Sequence, residues 1–314
     1  MGYRSMRRIN IVGHQNPDTD SICSALAYTW LKNGGKLCGN YEARRAGNIN
    51  RETAFVLNYF GMDAPRLCTD LSPQIKDIDI REQAGIDGET SIRDAWSLMR
   101  TDEIDTLCIT NEDNELQGLI TIKDIANSNM ELFDTSVLSA ADTSYANILK
   151  TLDARLIAGD ENSRISKGSV CIGTSPEIME EIIKEGDVVL GTNKYETQLC
   201  AIEMGAKLIV VCCGAPVTKT MLAYAKEKGC DIMVSPYETY AAARLITTAI
   251  PVRHLMMTED LIKFSVNTPI EDASKVMAKV RFRYFPILDR DGKYCGVVSR
   301  RNLLNLHRKQ VILV

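Results

Sequence analysis

The hydrophobic pattern at the start of the chain predicts a strand, a polar loop and a helix. The apolar run Ile9–Val12 is typical of a buried parallel strand. Gly13 and Pro17 end this run, so the polar residues that follow fall in a loop. Ser21 is expected to cap the next helix, and the glycines at 34 and 35 are expected to end it. The helix is predicted to bury one face, made of Ile22, Ala25, Leu26, Thr29 and Trp30.

A second helix is predicted over Arg51–Phe60, with Asn50 or Arg51 at its start and Gly61 at its end. Its apolar face is expected to consist of Ala54, Val56, Leu57 and Phe60. Together with the first strand and helix, it gives the beginning of a doubly wound α/β domain. Sixty-six residues are too few to cover both faces of such a sheet, so this part is expected to need more chain.

The chain contains an internal repeat at an offset of 178 residues, which aligns Thr90 with Thr268. The eight identical pairs are Thr90/Thr268, Ile92/Ile270, Asp94/Asp272, Ala95/Ala273, Met99/Met277, Ile109/Ile287, Asp113/Asp291 and Gly118/Gly296. Each copy is predicted to form a helix, a two-stranded hairpin and a further helix, because Asp-Asn and Asp-Gly turns separate apolar runs. The predicted strands cover residues 106–110, 117–121, 284–288 and 295–299.

The segment between the two copies has a different pattern, in which short apolar runs alternate with helical periodicity. Strands are predicted over 155–157, 169–172, 187–191, 207–213 and 231–234. Helices are predicted over 176–184, 197–204, 218–228 and 237–246. This alternation is typical of an α/β unit with a mainly parallel sheet.

Composition narrows the range of functions. A chain of 314 residues should hold two or three domains, and 45% hydrophobic with 25% charged residues is ordinary for a globular protein. The net charge of −4 and the lack of a basic stripe argue against nucleic acid as a partner. No membrane span or signal peptide is visible, and the ten cysteines form no C-x-x-C pair. We therefore expect a cytoplasmic protein with free, mostly buried thiols.

The loop after the first strand carries the candidate chemistry. His14, Asp18 and Asp20 lie within seven residues at the expected carboxyl edge of a parallel sheet. An imidazole and carboxylates without a thiolate suit Mn²⁺, Co²⁺ or Mg²⁺. The alternative is that both aspartates only form turns and cap the helix. One strand end does not complete a two-metal site, and the two other histidines, His254 and His307, have no acidic partner at ligand spacing.

Several motifs resemble known families. The loop G-H-Q-N-P-D-T-D-S-I and the segment G-N-I-N-R-E-T-A-F-V-L-N-Y-F-G resemble manganese-dependent family II inorganic pyrophosphatases of the DHH phosphoesterase superfamily. The repeat is similar to cystathionine-β-synthase-like (CBS) domains through G-L-I-T-I-K-D-I and G-V-V-S-R-R-N-L. The middle segment resembles a DRTGG domain through G-D-V-V-L-G and S-P-Y-E-T-Y-A-A-A-R-L-I, although the letters D-R-T-G-G are absent.

This order of motifs is that of CBS-containing family II pyrophosphatases, in which a regulatory insert interrupts the catalytic domain. The implied fold class is α/β, with a partial doubly wound DHH-type parallel sheet interrupted by a CBS pair and an inserted DRTGG-like domain. The implied domains are residues 1–66 with 308–314 as a returning strand, 67–131 and 251–307 as CBS domains, and 132–250 as the DRTGG-like domain. The resemblance predicts a chain truncated after the regulatory insert.

The resemblance also assigns metal ligands. His14 and Asp18 would bind one catalytic metal ion and Asp20 the other, with Mn²⁺ or Co²⁺, or else Mg²⁺, as the ion. Asn16 and Ser21 are candidates for orienting ligands or water. In the family, the strand corresponding to 311–314 leads to further ligands, and these have no counterpart here. The chain is therefore expected to be catalytically incomplete.

CBS pairs commonly hold an adenine nucleotide, so the resemblance implies AMP, ADP, ATP or a diadenosine polyphosphate as regulatory ligands. Thr121 and Ser299 offer hydroxyls at a strand-to-helix turn, where backbone N–H groups favour phosphate. Asp124 could accept a bond from ribose, and Asn302 takes the matching position in the second copy. The remaining candidates, two cations for phosphate and a ring for the base, are Lys123, Arg301 and Tyr284. Alternatively, the residues at the two turns only cap helices.

Three functions follow from these patterns. The first is metal-dependent hydrolysis of inorganic pyrophosphate, regulated by adenine nucleotides bound at the CBS domains. The second is an adenine-nucleotide-sensing module without catalysis. The third, a DHH phosphoesterase acting on short oligonucleotides or polyphosphate, is disfavoured by the CBS and DRTGG segments. A homodimer formed through the CBS domains is expected, with neither nucleic acid nor membrane as a partner.

Overall fold

Helices and strands alternate along most of the chain. The computed structural model describes residues 9–68, 73–130, 134–304 and 311–314. The strands are β1 (Ile9–Val12), β2 (Tyr41–Arg45), β3 (Arg66–Leu67), β4 (Thr106–Thr110), β5 (Leu116–Thr121), β6 (Thr143–Ser144), β7 (Arg155–Ala158), β8 (Arg164–Ile165), β9 (Val170–Ile172), β10 (Val188–Gly191), β11 (Leu208–Val211), β12 (Asp231–Val234), β13 (Phe264–Ser265), β14 (Tyr284–Leu288), β15 (Tyr294–Ser299) and β16 (Val311–Leu313).

Most helices lie close to the predicted positions, but the two helices within residues 137–151 were not predicted. The helices are α1 (Thr19–Lys32), α2 (Arg51–Tyr59), α3 (Ile92–Thr101), α4 (Ile122–Met130), α5 (Val137–Ala140), α6 (Tyr145–Thr151), α7 (Pro176–Ile182), α8 (Tyr195–Glu203), α9 (Lys219–Lys228), α10 (Thr239–Ile246), α11 (Ile270–Lys279) and α12 (Arg300–Leu304). The chain divides into two compact units. The first comprises the described residues of Met1–Gln83 and Lys263–Val314, and the second comprises Ala84–Ile262.

A four-stranded parallel sheet opens the first unit. Its strand order is β16-β1-β2-β3, and Asn10 of β1 lies opposite Val311 on one side and Glu42 on the other. Helix α1 connects β1 to β2, and α2 connects β2 to β3, so the predicted βα units are confirmed. Ile22, Leu26 and Leu57 form the buried contact between these helices and the sheet.

The predicted apolar faces of the first two helices were partly wrong. Trp30 is 52% exposed and Phe60 is 69% exposed, whereas Leu26 and Leu57 are buried. Both aromatic side chains line an apolar pocket of about 540 Å³ together with Leu26 and Leu57. Phe60 follows the last residue of α2, so the helical periodicity no longer fixes its direction.

The first unit also contains the second repeat copy. Strands β14 and β15 form an antiparallel hairpin, and β13 pairs in parallel with β14. An earlier segment of the chain joins this sheet, because Arg81 and Val297 exchange both backbone hydrogen bonds at 3.0 Å. Gly296 permits this approach: a Cβ atom there would lie 2.5 Å from the Arg81 carbonyl oxygen.

The first repeat copy lies in the second unit and is built in the same way. Strands β4 and β5 form its hairpin, and Met257 pairs with Leu119 through two backbone hydrogen bonds of 2.8 and 3.1 Å. Both hairpins shift register at matching positions, between Ile109 and Thr110 and between Ile287 and Leu288. The internal repeat predicted from the sequence is therefore confirmed as a structural repeat.

The rest of the second unit is a five-stranded sheet in the order β7-β12-β11-β10-β9. Strands β9 to β12 are parallel and β7 is antiparallel, which confirms the predicted mainly parallel sheet. Alternate residues of these strands enter two apolar clusters. Val188 and Leu208 belong to one cluster and Val189 and Ile209 to the other, as expected for a sheet covered on both faces.

The expectation of free, mostly buried thiols is met only in part, because six of the ten cysteines are half-buried or exposed. All ten cysteines are free thiols, and Cys108, Cys212 and Cys230 are among the buried ones. Burial raises the pKa of the Cys230 thiol to about 12, so this group stays protonated and unreactive near neutral pH. Among the described helices, none has both the length and the apolar character that a membrane crossing requires.

Candidate functional site

The loop that holds His14 and Asp18 lies at the carboxyl end of β1. Strand β1 is flanked by β2 on one side and β16 on the other, and the Val314 N–H donates to the Val12 carbonyl oxygen at 3.2 Å. The chain leaves β1 toward β2, while β16 lies on its opposite side. This is a topological switch point, where open α/β sheets form a crevice for ligands.

Asp18 caps helix α1. Its Oδ1 accepts a hydrogen bond from the Ser21 N–H at 2.9 Å, and the helix begins at Thr19. The expectation that Ser21 caps the helix was therefore wrong, because the Asp18 carboxylate reaches the first free N–H groups from an earlier position. The same hydrogen bond lowers the pKa of Asp18, and the nearby His14 lowers it further. Asp18 is thus a carboxylate at neutral pH.

His14 and Asp18 face each other across the loop. The His14 Nε2 and Asp18 Oδ1 atoms are 3.4 Å apart, and the two side chains are 56% and 57% exposed. One imidazole nitrogen and one carboxylate, both open to solvent, are the donor types that Mn²⁺ and Co²⁺ accept. The pair therefore fits part of the coordination shell of one such ion.

Asp20 belongs to the first turn of α1, where its Oδ1 accepts from the Ser24 hydroxyl at 3.4 Å. Across residues 9–68, 73–130, 134–304 and 311–314, no group of three or more His, Cys, Asp or Glu residues is placed to hold a metal ion. His14 and Asp18 are thus brought together, and Asp20 is not grouped with them. His254 lies in a short 3-10 turn of the second unit, and His307 falls outside the described residues.

The two other catalytic candidates in this region differ in exposure. Asn16 is exposed in the loop, whereas Ser21 is only 4% exposed. The Ser21 hydroxyl makes no hydrogen bond with the described residues, and it occupies the space where a Cβ of residue 13 would lie. Gly13 is therefore required by close approach, because any side chain there would displace Ser21 or the end of β1.

The first CBS turn, between β5 and α4, is held by Thr121 and Asp124. The Asp124 Oδ2 accepts from the Thr121 N–H at 2.8 Å and from the Thr121 hydroxyl at 2.7 Å. Lys123 is exposed on the first turn of α4. The turn thus presents a carboxylate and a cation next to a helix N-terminus.

The second CBS turn, between β15 and α12, repeats this geometry. The Asn302 Oδ1 accepts from the Ser299 N–H at 2.8 Å and from the Ser299 hydroxyl at 2.7 Å. The Asn302 Nδ2 also donates to the Asp79 carbonyl oxygen at 2.9 Å. Both turns thus contain the capping hydrogen bonds that the alternative interpretation predicts, and these bonds do not test whether a ligand binds there.

Tyr284 lies directly opposite Ser299 in the β14–β15 hairpin, and the Arg283 guanidinium stands 5.4 Å from its ring centre. Arg301 is exposed on α12. The neighbouring Arg300 donates instead to the Met277 carbonyl oxygen at 3.0 Å and is occupied at the end of α11. Tyr284 and Arg301 thus lie in the first unit, and the Thr121 turn lies in the second.

An ion cluster in the second unit had no signal in the sequence. Glu89 accepts from Arg164 at 2.8 Å and from Arg253 at 2.5 Å, and Arg164 also contacts Asp142 at 2.6 Å. Burial raises the pKa of Glu89, but the two arginines outweigh it and hold that pKa below its ordinary value. These residues are far apart in the chain, so only the folded structure reveals them.

Comparison with known proteins agrees with this architecture. The family model of the DRTGG domain matches residues 147–249, and that of the CBS domain matches residues 75–131 and 252–309. A crystal structure of the CBS and DRTGG domains of the regulatory region of Clostridium perfringens pyrophosphatase, complexed with the activator diadenosine tetraphosphate, aligns with a TM-score of 0.69 and 26% identity. It covers 73% of this chain, and the match spans 100% of that structure.

Curated relatives extend the match to the N-terminal sheet. A cobalt-dependent inorganic pyrophosphatase of Clostridium perfringens is 31% identical over 98% of this chain, and a probable manganese-dependent inorganic pyrophosphatase of Thermotoga maritima is 28% identical over 99% of it. The chain is a homologue of these pyrophosphatases. It carries a CBS pair and a DRTGG domain, so the resemblance predicted from the sequence is confirmed. The chain spans 56% and 57% of the length of these two relatives.

A third relative shares a shorter region. The manganese-dependent inorganic pyrophosphatase of Bacillus subtilis is 40% identical over 106 residues, which is 34% of this chain. Homology to the metal-dependent pyrophosphatases thus has support from proteins that match nearly the whole chain and from one that matches a part of it.

Proposed function

We propose that this chain serves metal-dependent hydrolysis of inorganic pyrophosphate, under the control of adenine nucleotides bound at its CBS domains. The observation that carries the proposal is the His14–Asp18 pair at the switch point of a parallel sheet, in a chain homologous to pyrophosphatases. Neither the pair nor the CBS domains alone would indicate this function, since both occur in unrelated settings.

The metal-binding residues in this proposal are His14 and Asp18 for one ion and Asp20 for a second. Mn²⁺ and Co²⁺ suit these donors best, and Mg²⁺ is a weaker candidate. A bound ion would supply Lewis-acid activation of the phosphoanhydride. The protein contributes a carboxylate that stays ionised at neutral pH and an imidazole held 3.4 Å from it. Asn16 and Ser21 would orient ligands or water around this pair.

The nucleotide-binding residues in this proposal lie at the two CBS turns. Asp124 would accept a bond from a ribose hydroxyl, and Thr121 and Ser299 lie where helix N-termini favour phosphate. Lys123 and Arg301 are exposed cations suited to phosphate, and Tyr284 offers a ring to an adenine base. Support comes from the C. perfringens regulatory region, which resembles this chain and is complexed with diadenosine tetraphosphate. AMP, ADP and ATP are the other candidate ligands.

A second candidate function is nucleotide sensing without catalysis. It is favoured by one observation: within the described part of the chain, no third His, Cys, Asp or Glu residue joins His14 and Asp18 in a metal-binding group. In either case we propose a cytoplasmic homodimer formed through the CBS domains, with small molecules as its partners.

Two measurements on the purified chain separate the candidates. The first is phosphate release from pyrophosphate with Mn²⁺, in the wild-type chain and in His14→Ala and Asp18→Asn variants. Asn also caps helices, so Asp18→Asn removes the charge while keeping the cap. The second is calorimetric binding of AMP.

Turnover that both substitutions abolish supports the enzyme. AMP binding without turnover supports the sensor. A chain that shows neither contradicts both proposals, and turnover that survives both substitutions contradicts the assigned metal ligands.

A further inference from the structure

The chain from the end of β2 to the first turn of α2 packs directly against the metal-binding loop. It contains the G-N-I-N-R-E-T sequence, to which the proposed function assigns no role. We infer that residues 45–53 form a buttress that positions the His14–Asp18 loop, with Gly47 and Thr53 as positioning residues. The inferred effect on metal binding rests on the proposed function, whereas the effect on the loop itself does not.

Within the loop, Asp18 is held by its hydrogen bond from the Ser21 N–H, but the His14 side chain gains little support. His14 and Asp18 are each more than half exposed, and the His14 ring approaches the Asp18 carboxylate at 3.4 Å. The distance between the imidazole and the carboxylate therefore depends on the backbone between them. Whatever fixes residues 15–17 also fixes the relative positions of the two ligands.

Gly47 provides the first support. A Cβ atom on this residue would lie 2.4 Å from the Gln15 carbonyl oxygen and 3.0 Å from Pro17 Cδ. The obstacle is mainly backbone, so even one methyl group at this position requires the loop to move. Glycine is thus demanded here by contact with the loop that carries the ligands.

Arg45 holds Gly47 in place from the other side. Its Nη1 donates to the Gly47 carbonyl oxygen at 2.6 Å, and its Nε donates to the Pro65 carbonyl oxygen at 3.0 Å. Arg45 is the last residue of β2, whose register with β1 is set by the sheet. Charge-assisted hydrogen bonds therefore connect the frame of the sheet to the residue that contacts the loop.

Thr53 provides the second support. Its side chain is fully buried, and its hydroxyl lies 3.1 Å from the hydroxyl of Thr19, the residue after Asp18. Asn50 fixes this turn of α2, because its Oδ1 accepts from the Thr53 N–H at 2.7 Å. The hydrogen bond between the two threonines thus joins the first turn of α2 to the first turn of α1.

The chain offers a matched control for each support. Gly191 is the last residue of β10, and a Cβ there would meet only Thr197 Cγ2 at 3.7 Å, an ordinary contact. Thr29, in α1, is as buried as Thr53, but its hydroxyl has no hydrogen-bond partner among the described residues. The test pairs are therefore Gly47→Ala against Gly191→Ala, and Thr53→Val against Thr29→Val.

The first readout is the nuclear magnetic resonance signal of the His14 ring in the metal-free chain. Only three histidines are present, and His254, which lies in the other unit, serves as an internal reference. We expect Gly47→Ala to shift the His14 signal clearly and Thr53→Val to shift it less, with His254 unchanged. Neither control variant should move the His14 signal.

The second readout is the Mn²⁺ concentration that broadens the His14 signal. Gly47→Ala should raise the required Mn²⁺ concentration about 10-fold, and Thr53→Val should raise it about 3-fold. Substitution of residues that orient metal ligands typically weakens metal affinity by about 10-fold or more. If wild-type His14 is not broadened by Mn²⁺, the metal assignment fails while the metal-free shifts still test the buttress.

A folded Gly47→Ala variant with wild-type His14 signals overturns the inference. If Gly47→Ala does not fold, the Thr53→Val variant decides the question. The inference is overturned as well if Thr53→Val, like its control Thr29→Val, leaves the His14 signal at its wild-type position.

Discussion

The strand-to-helix turns of the two CBS copies make the same capping hydrogen bonds and differ in what remains for a ligand. In each, one side-chain oxygen, Asp124 Oδ2 or Asn302 Oδ1, accepts from the backbone and hydroxyl of the strand's last residue. Asn302 then uses its amide nitrogen on the Asp79 carbonyl oxygen. Asp124 is a carboxylate, and both of these bonds use its Oδ2, which leaves Oδ1 outside the cap.

This difference separates capping from ligand chemistry. The bond back to the last residue of the strand requires only one acceptor oxygen at the third position of the helix, and both Asp and Asn supply it. A ribose hydroxyl binds more strongly to a carboxylate than to an amide oxygen, because the hydrogen bond is charge-assisted. Two turns with one geometry can therefore differ in ligand affinity, and we expect the first copy to contribute more of it.

The largest expected effect concerns the matching glycines of the two copies. At Gly118 a Cβ would lie 2.7 Å from the Met257 carbonyl oxygen, and at Gly296 it would lie 2.5 Å from that of Arg81. Gly296 also has a φ of +142°, which L residues rarely adopt. We predict that Gly118→Ala costs about 1–3 kcal/mol of unfolding free energy and Gly296→Ala about 3–5 kcal/mol.

Urea unfolding checks this prediction, with Gly191→Ala as the control for adding one methyl group. The control should change the unfolding free energy by less than about 0.5 kcal/mol, since its Cβ makes only an ordinary contact. Equal stability of Gly118→Ala and Gly296→Ala would show that the positive φ of the second copy carries no cost.

The next effect concerns nucleotide affinity. Asp124→Asn should weaken binding of AMP about 10-fold, the value of one charge-assisted hydrogen bond, while the cap and the stability stay nearly unchanged. Asn302→Asp keeps the cap oxygen but loses the donor to Asp79, so it should alter affinity by less than Asp124→Asn does. Isothermal calorimetry on both variants measures the difference. A larger loss of AMP affinity in Asn302→Asp than in Asp124→Asn would show that the second CBS turn contributes more to binding than the first.

The smallest effect concerns residues 89 and 267, which occupy matching positions of the repeat. Glu89 pairs with Arg164 and Arg253, whereas Asn267 accepts one bond from Lys76 at 3.2 Å. Glu89→Gln should lower the unfolding free energy by about 1 kcal/mol at pH 7, since the pairs are partly exposed. Asn267→Ala should change it by less than about 0.5 kcal/mol.

The difference in unfolding free energy between wild type and Glu89→Gln should depend on pH with a definite sign. The pKa of folded Glu89 lies below its ordinary value, so its stabilising effect is present above the pKa of the unfolded chain. As the pH falls through the folded pKa, that effect is lost, and wild type and Glu89→Gln should converge in strong acid. Thermal unfolding between pH 3 and pH 7 tests this, and a gap that widens in acid would refute the assignment.

Local pattern predicted most of the fold. Strands β4 and β14 have the bounds predicted from the repeat, because apolar alternation and hairpin turns are local signals. Long-range contacts could not be predicted in this way. The hydrogen bond between Arg253 and Glu89 joins residues 164 positions apart, and no periodicity reports it.

The sequence predicted which residues lie near the candidate site better than it predicted their arrangement. His14 and Asp18 do approach each other, as their shared loop suggested. Asp20 does not join them, since it lies inside the first turn of α1 beside the Ser24 hydroxyl, whereas Asp18 precedes the helix in extended conformation. The identity of the helix cap was wrong for the same reason: it depends on which residue the helix begins at, which sequence locates only within a few positions.

The most direct test of nucleotide sensing is calorimetric titration of the 314-residue chain with AMP and, separately, with diadenosine tetraphosphate. We predict saturable binding of both ligands by the wild-type chain and about 10-fold weaker binding of AMP by Asp124→Asn. Circular dichroism would establish that the titrated protein is folded. A folded wild-type chain that binds neither ligand would contradict the proposal that its CBS domains are adenine-nucleotide sensors.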